Sequence, residues 1–429
     1  MPPAVRIPTP SNAFPTLQVS ARDTKSLELI ADAHVQETLE HHREFIRDHK
    51  ECVDRKMWRK VRSRHGVKVF RERTRSAIKR ERFEKSGSSV KARGSNAGES
   101  AVTPLVMLVG TLQGNLDDVL YAIQSPTTET MQLQTSYVRD GLSDWAVLAS
   151  ILKPSRADPF RELSVKWAVK KHAMPLGALL RPRDLVYMES IGYTTTKSGE
   201  RVGYQVKHSV ELTGAQELRE HSIVRANMSF CYIYRQRSEN VVDVFMRGTI
   251  SPLTGSKLSN RASCSVAIDI ALAVARISYC AQMKKLSWLL KAGKRASSAS
   301  AMGGVLSSRQ QCTVCSENIG GASCAPRKAH KKSCRICCER VCGRCRVTKR
   351  VACITSLDDQ DVVVTTDMRF CTRCIHRASQ VNAQCVALHD VVETEGADRA
   401  FDVIRKLRID SISTCSLDDN YSQNSVYTQ

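Results

Sequence analysis

Four Cys-x-x-Cys pairs stand close together in the C-terminal part of the chain: Cys312/Cys315, Cys334/Cys337, Cys342/Cys345 and Cys371/Cys374. Each pair can present two thiolates from one tight turn, and a structural zinc ion takes four such ligands in a tetrahedron. Eight thiolates therefore suit two zinc ions. A single pair would serve redox chemistry equally well, but the same spacing repeated four times favours metal. The chain opens Met1-Pro-Pro-Ala-Val-Arg, without an apolar leader, so the expected compartment is cytoplasmic. Thiols stay reduced there, which makes disulfides the poorer alternative. Cys324, Cys338, Cys353 and Cys385 lie in the same region outside the pairs, and Cys52, Cys231, Cys264, Cys280 and Cys415 are scattered. These are expected to be spare thiols or small buried side chains. A zinc ion held by four protein thiolates has no open position for substrate. Nor does the chain contain a nucleophile elbow, a phosphate loop or a dinucleotide fingerprint, and no enzymatic role is expected.

The chain has 429 residues, enough for two or three domains. Its net charge of +22 calls for an anionic partner: an acidic protein, nucleic acid or a membrane face. No basic helix with interleaved aromatics occurs, so no nucleic-acid partner is expected. The apolar run from Val266 to Ala281 is interrupted by Asp269 and Arg276 and falls short of the roughly 18 residues a span needs. Any membrane contact is expected to be peripheral.

Several elements must position this chemistry. Residues 1–22 are rich in Pro and Ser and are expected to be disordered. Leu27, Ile30, Ala31, Thr38, Leu39 and Phe45 recur at helical spacing. His34, His41, His42 and His49 on that helix read as core or wet-face positions, because no thiol or carboxylate pattern accompanies them. Trp58–Arg73 reads as a strand pair bent at Gly66, followed by a flexible insertion at 85–103, an apolar strand over Pro104–Leu112 and a helix capped by Asn115. Strands are expected over 163–170, 185–191, 202–210, 224–234 and 241–246. Their period-two alternation predicts an antiparallel sheet with one face inside. Trp167, Tyr204 and Phe230 are candidates for that face, with the inward side of each strand left open. A long apolar helix over about 261–290 closes the unit and encloses space against the sheet. A linker at 294–308, the cysteine module at 309–380, a short helix at 396–408 and a polar tail complete the chain.

The run Lys331-Lys-Ser-Cys-Arg-Ile-Cys-Cys-Glu-Arg-Val-Cys-Gly-Arg-Cys345, with Arg369-Phe-Cys-Thr-Arg-Cys374, resembles a FYVE-type zinc finger. The resemblance implies crossed metals: Cys312, Cys315, Cys342 and Cys345 on one zinc, and Cys334, Cys337, Cys371 and Cys374 on the other. Spacing alone also permits a sequential arrangement of the LIM kind. The family's Trp-x-x-Asp is absent, its His-His is Lys332-Ser333, and Cys338 stands where Gly is usual. Lys331, Lys332, Arg335 and Arg369 remain as candidate headgroup ligands for an anionic lipid such as phosphatidylinositol 3-phosphate. Residues 24–293 resemble a START-like domain of the helix-grip type, carried by Trp58–Phe70, by Arg181-Pro-Arg-Asp-Leu-Val-Tyr187 and by the long final helix. Domains of this pairing are familiar in large oomycete families. The expected fold is therefore α+β: a START-like helix-grip antiparallel sheet with a long C-terminal helix, plus a small two-zinc FYVE-like finger. The resemblances imply a zinc-binding protein, peripheral on phosphoinositide-containing and endosomal membranes, with a lipid in its START-like cavity. The alternative is a protein-interaction scaffold or a RING-like ubiquitin-ligase module, although RING patterns need a histidine ligand and His330 lies off that spacing.

Overall fold

The computed structural model describes residues 14, 17–73, 105–170, 181–218, 222–252, 257–299, 311–319, 333–357 and 360–395. The insertion at 85–103, positions 300–308 of the linker, Lys331, Lys332, Cys324, Cys415 and the helix expected at 396–408 lie outside them. The chain divides into two compact units. One comprises 1–287 with 349–368; the other comprises 288–348 with 369–429.

The first unit is built on a nine-stranded sheet. Its strands are β1 (Trp58–Arg64), β2 (Val67–Glu72), β3 (Val106–Gln113), β4 (Leu142–Leu152), β5 (Glu162–Lys170), β6 (Arg183–Thr195), β7 (Arg201–Ser209), β8 (Val224–Ser238) and β9 (Val241–Pro252). The spatial order is β1-β2-β3-β9-β8-β7-β6-β5-β4. Neighbours are antiparallel, and β9 returns to pair with β3. His65 and Gly66 join β1 to β2 with φ of 45° and 83°. Two positive values in a two-residue loop suit the right-handed twist of a hairpin.

Helices cover both faces of this sheet. Helix α1 (Ala21–Arg47) is capped by Ser20, whose hydroxyl accepts from Asp23 N at 3.1 Å. Its buried stripe of Leu27, Ala31, Val35, Thr38 and His42 follows the helical period. Leu27, Ala31 and Val35 join Leu163, Val165, Trp167, Met188, Val202, Tyr204 and Ile233 in one apolar cluster. Phe14 and Leu17, placed by composition in a disordered stretch, are buried in the same cluster, with the Phe14 ring edge-on to Trp167 at 5.5 Å. His42 packs on Phe245 at 5.3 Å, and burial lowers its pKa to about 4. His34 faces His208 at 4.5 Å.

The opposite face meets α2 (Leu116–Ile123), α3 (Thr128–Val138) and the C-terminal helix. Asn115 caps α2, its side chain accepting from Asp118 N at 2.8 Å. The C-terminal helix comes in two segments, α4 (Lys257–Leu272) and α5 (Ile277–Ala299), joined by a 3₁₀ turn over Ala273–Arg276. It runs past the expected end near 290 and into the expected linker. The stretch Cys264–Ala292 has the length and apolarity of a membrane span. Ala267, Ala271, Cys280, Met283 and Leu286 in it are nevertheless core residues.

Two expectations are corrected here. The sheet has two covered faces, and every residue of β5 is buried. Alternation along β5 therefore separates an apolar row facing α1 from a mixed row facing the interior. Consequently Trp167, Tyr204 and Phe230 do not share a face. Trp167 and Tyr204 belong to the cluster with α1, while Phe230 alternates with its members Cys231 and Ile233. A side-chain period of two sends such neighbours to opposite sides.

In the second unit, Phe370, Ala378 of α6 (Thr372–Gln380), and Val386 and Val391 of α7 (Ala383–Glu395) are buried, and Trp288 stands edge-on to His389 at 5.5 Å. A two-stranded ladder of β10 (Arg346–Leu357) and β11 (Gln360–Cys371) starts and ends in this unit, and its central part belongs to the first.

Candidate metal centres and the polar interior

The eight paired cysteines gather in two groups of four. In one, the sulfurs of Cys312, Cys315, Cys342 and Cys345 all lie within 4.8 Å of one another. In the other, those of Cys334, Cys337, Cys371 and Cys374 do the same. The first pair thus meets the third, and the second meets the fourth. Cys315 Sγ and Cys342 Sγ are 3.7 Å apart, and Cys337 Sγ and Cys371 Sγ are 4.0 Å apart. A tetrahedron with metal–sulfur bonds of about 2.3 Å has edges of about 3.8 Å. A disulfide needs sulfurs at about 2.05 Å, so these thiols are placed for a shared ion and not for each other. Each group could hold a metal ion.

One local fold builds both groups. Gln311-Cys-Thr-Val-Cys-Ser-Glu-Asn318 and Ser333-Cys-Arg-Ile-Cys-Cys-Glu-Arg340 form the same turn, closed by the bridges Gln311–Asn318 and Ser333–Arg340. Ser316 N donates to Cys312 O at 2.8 Å and Cys338 N to Cys334 O at 3.0 Å. Thr313 N donates to Arg340 O at 3.2 Å and Arg335 N to Arg369 O at 2.9 Å, each carbonyl lying two residues before the partner pair. Thr372 N donates to Cys345 O at 3.0 Å and connects the two centres. Cys371 also caps α6, its sulfur accepting from Cys374 N at 3.3 Å. Negative charge on a helix cap is favoured by the helix dipole.

The electrostatics ask for a cation. Burial opposes ionising Cys312, but backbone N–H groups of Cys342, Cys315 and Val314 outweigh it and bring the thiol to about 6. Its neighbour Cys345 is driven up to about 12, chiefly by Cys315. In the second group Cys334 is pulled well below the usual thiol range by Cys337, Cys371 and Cys374, while Cys374 is pushed far above it by the same crowding. Four sulfurs this close cannot all carry charge without a positive ion among them.

Ser316 and Cys338 occupy the same left-handed position in the two turns, with φ of 60° and 59°. This geometry explains why glycine suits position 338. A non-glycine residue there costs roughly 1–2 kcal/mol. Cys338 is exposed and outside both groups. Cys338→Gly is therefore expected to stabilise the metal-bound unit by about 1 kcal/mol. Competition against a graded zinc chelator would show it, and equal resistance in the two proteins would refute the strain.

Of the four candidate headgroup residues, the structure describes Arg335 and Arg369. Both are exposed, and the backbone bond between them brings them side by side. The remaining thiols are mixed. Cys231, Cys264 and Cys280 are buried, Cys353 and Cys385 half-buried, and Cys52 exposed. Among the described residues, none of the histidines on α1 joins a metal-capable group.

The interior of the first unit holds charges that alternation alone places outside. Lys166 is fully buried; its Nζ lies 2.8 Å from Glu162 Oε1 and 2.8 Å from Ser125 Oγ, and it also pairs with Glu189. Gln205 Nε2 donates to Glu189 Oε1 at 2.7 Å, and Tyr234 OH donates to Gln205 Oε1 at 3.1 Å. Beside this network is a cavity of about 50 Å³, walled by Asp140, Ala168, Tyr187, Lys207, Met228 and Val274 among others. Asp184, from the motif Arg181-Pro-Arg-Asp, lies on the other side. It accepts from Trp167 Nε1 at 3.1 Å and from Arg225 Nε at 3.0 Å.

No family model matches the chain, and no curated protein matches it. Among solved structures it is similar to human StAR-related lipid transfer protein 5, at 12% identity and a TM-score of 0.38, covering 60% of this chain and 98% of that one. It is also similar to human STARD10, at 10% identity and a TM-score of 0.33, covering 62% and 82%. A STAR-related lipid transfer protein fragment from Xanthomonas axonopodis gives 14% identity and a TM-score of 0.33, covering 53% and 99%. The α+β fold class stands on the strand order and helices described above, independently of these likenesses.

Proposed function

We infer that this chain is a non-enzymatic zinc-binding protein with a START-like lipid-binding unit and a FYVE-like finger. It associates peripherally with anionic, phosphoinositide-bearing membranes on their cytosolic side, endosomes included. The observation that carries this reading is the pairing of eight cysteines into two four-sulfur groups with tetrahedral spacing. Zinc suits such all-thiolate sites, and with four protein ligands each its role is structural. Arg335 and Arg369, exposed and adjacent, offer forked donors to a phosphate. Each Lys or Arg near an anionic surface contributes about 1 kcal/mol.

The lipid belongs between the sheet and the C-terminal helix, where the polar wall suits a headgroup. At about 50 Å³ that space is well below the roughly 300–1,000 Å³ of small-molecule sites. Entry therefore requires the helix to shift, and the 3₁₀ turn over Ala273–Arg276 interrupts it at the cavity wall.

Native mass spectrometry of the reduced full chain, after incubation with mixed-lipid vesicles, tests both parts. Two zinc ions and one lipid per chain are expected, with flotation on phosphoinositide vesicles that weakens as salt rises. Ala168→Leu narrows the cavity and is expected to lose the lipid while keeping the zinc. Zinc without lipid or flotation in the unmodified protein would favour the scaffold reading, in which side chains simply fill the interior.

A further inference from the structure

A second hollow on the first unit has no part in the arrangement above. It measures about 200 Å³ and is walled by Arg139, Arg276, Arg350, Tyr137, Tyr279 and Thr365. These residues come from segments far apart in sequence. Arg139 is the C-cap of α3, held left-handed at φ 54°. Arg276 ends the 3₁₀ turn; its Nε donates to Tyr137 O at 2.8 Å, and its guanidinium carbon is 5.2 Å from the centre of the Tyr279 ring. Lys349 Nζ lies 5.7 Å from the same ring. Arg350 and Thr365, both exposed, come from β10 and β11. The Tyr137 hydroxyl accepts from Ala352 N at 2.7 Å and fixes β10 beside the hollow.

The charges here are one-sided. Among the described residues, no carboxylate lines the hollow. Among the described residues, none forms an ion pair with Arg139, Arg276 or Arg350. Burial first, and then the charge of Arg139, holds the Arg276 guanidinium below its ordinary value. Three guanidinium groups around one small space repel each other unless an anion sits among them. Each presents a planar fork of donors that matches two oxygens of a phosphoryl group. The bond to Tyr137 O anchors one fork beside the Tyr279 ring, and the Thr365 hydroxyl adds a neutral donor. The volume is too small for a drug-sized ligand and suits a compact anion.

We propose that Arg139, Arg276 and Arg350, with Thr365, form a binding site for a phosphoryl anion, either free phosphate or the phosphomonoester of a lipid headgroup. The site lies on the first unit, whereas Arg335 and Arg369 belong to the second. It stands without the membrane reading, because a soluble phosphate would fill it equally well. Val274 and Ile277 flank Arg276 and line the interior cavity, so occupancy also bears on the helix break there.

The test uses the full chain, reduced and zinc-loaded. It is titrated with sodium phosphate, against sodium chloride at matched ionic strength, by calorimetry and thermal unfolding. A parallel arm uses phosphatidylcholine vesicles carrying a phosphoinositide, with phosphatidylserine vesicles of equal charge as reference. Phosphate is expected to bind one per chain and to raise the melting temperature. Arg350→Gln is expected to weaken binding roughly tenfold to a hundredfold, the loss of one charge-assisted contact. The Arg350 side chain makes no hydrogen bond or ion pair among the described residues, so the variant keeps the fold. Its melting temperature without phosphate checks this. Arg276→Lys, which retains charge and loses the fork, should fall between the two. Weakening of the phosphate arm alone assigns a soluble anion; weakening of the phosphoinositide arm alone assigns a headgroup; weakening of both assigns the shared chemistry. Identical responses of the unmodified protein and Arg350→Gln to both ligands would overturn the proposal. Vesicle binding that survives Arg350→Gln but is lost when Arg335 and Arg369 become Gln would remove this site and leave the membrane reading intact.

Discussion

Replacing Cys334 by Ser in the reduced protein is expected to lower the zinc content from two ions per chain to one and to unfold the second unit locally, around that group. Structural zinc in small fingers contributes about 10–16 kcal/mol of apparent binding free energy, and that energy is folding free energy. The apolar core around Phe370, Ala378 and Val386 is small, so it cannot replace such a term. The loss spreads, because Cys371 of the same group is both a ligand and the cap of α6. Hydrogen exchange should therefore rise along 333–345 and 371–380, while the strands around Trp167 remain protected. Cys52→Ser, at an exposed thiol outside both groups, is the control and should change neither metal nor exchange. Two zinc ions retained by Cys334→Ser would contradict the grouping, and none in the freshly purified, reduced parent would contradict the metal.

The next largest effect is expected at Lys166. Lys166→Met should destabilise the first unit by about 3–5 kcal/mol, because it leaves Glu162 and Glu189 buried without their common cation. The pH dependence identifies the cause. Burial alone would push the Glu189 carboxyl up, but Lys166 and then Lys207 outweigh it and hold it at about 2. A free glutamate titrates near about 4.3. In the parent protein this stabilisation is fully present above about 4.3 and is lost as pH falls through about 2. In Lys166→Met the burial of Glu189 is opposed by Lys207 and Gln205 only, so its folded carboxyl rises and is favoured protonated. Stability of the variant then falls as pH rises above the ordinary glutamate value. The gap to the parent should be narrow near pH of about 4 and wide at neutrality. Denaturant unfolding across that range would measure it. Changing Glu162 and Glu189 to Gln in the same variant should recover much of the loss. A gap that does not change with pH would mean that packing, and not charge, holds this interior together.

How far the sequence revealed these features depended on whether a local pattern had one physical meaning. Cysteine spacing did, since little besides a metal asks for four such pairs. The sulfur grouping did not, because it depends on which turns meet in space. Strand alternation was read correctly as alternation, but its meaning depends on what covers the second face. In β5 the apolar row meets α1 and the row of Ser164, Lys166 and Ala168 meets the interior, so alternation by itself does not mark Lys166 as buried. β4 went unrecognised because three register irregularities break its period. Helix α3 begins with a Thr127–Thr130 capping box, without the acid that usually marks one. The ladder of β10 and β11 did leave a signal in the β-branched run Val362-Val-Val-Thr-Thr366.

The ladder also bears on how the protein is made. Residues 349–368 belong to the first unit, where Val351 and Ala352 are fully buried and Tyr137 and Ser287 bond the Ala352 backbone. Cys345 and Cys371 bracket that segment. During synthesis the first unit lacks a buried piece until residue 368 has emerged, and by then three of the four cysteine pairs have emerged too. Domains of a nascent chain usually fold one after another from the N-terminus. That order is closed to this chain: its first unit is completed only while the cysteines of its second are emerging.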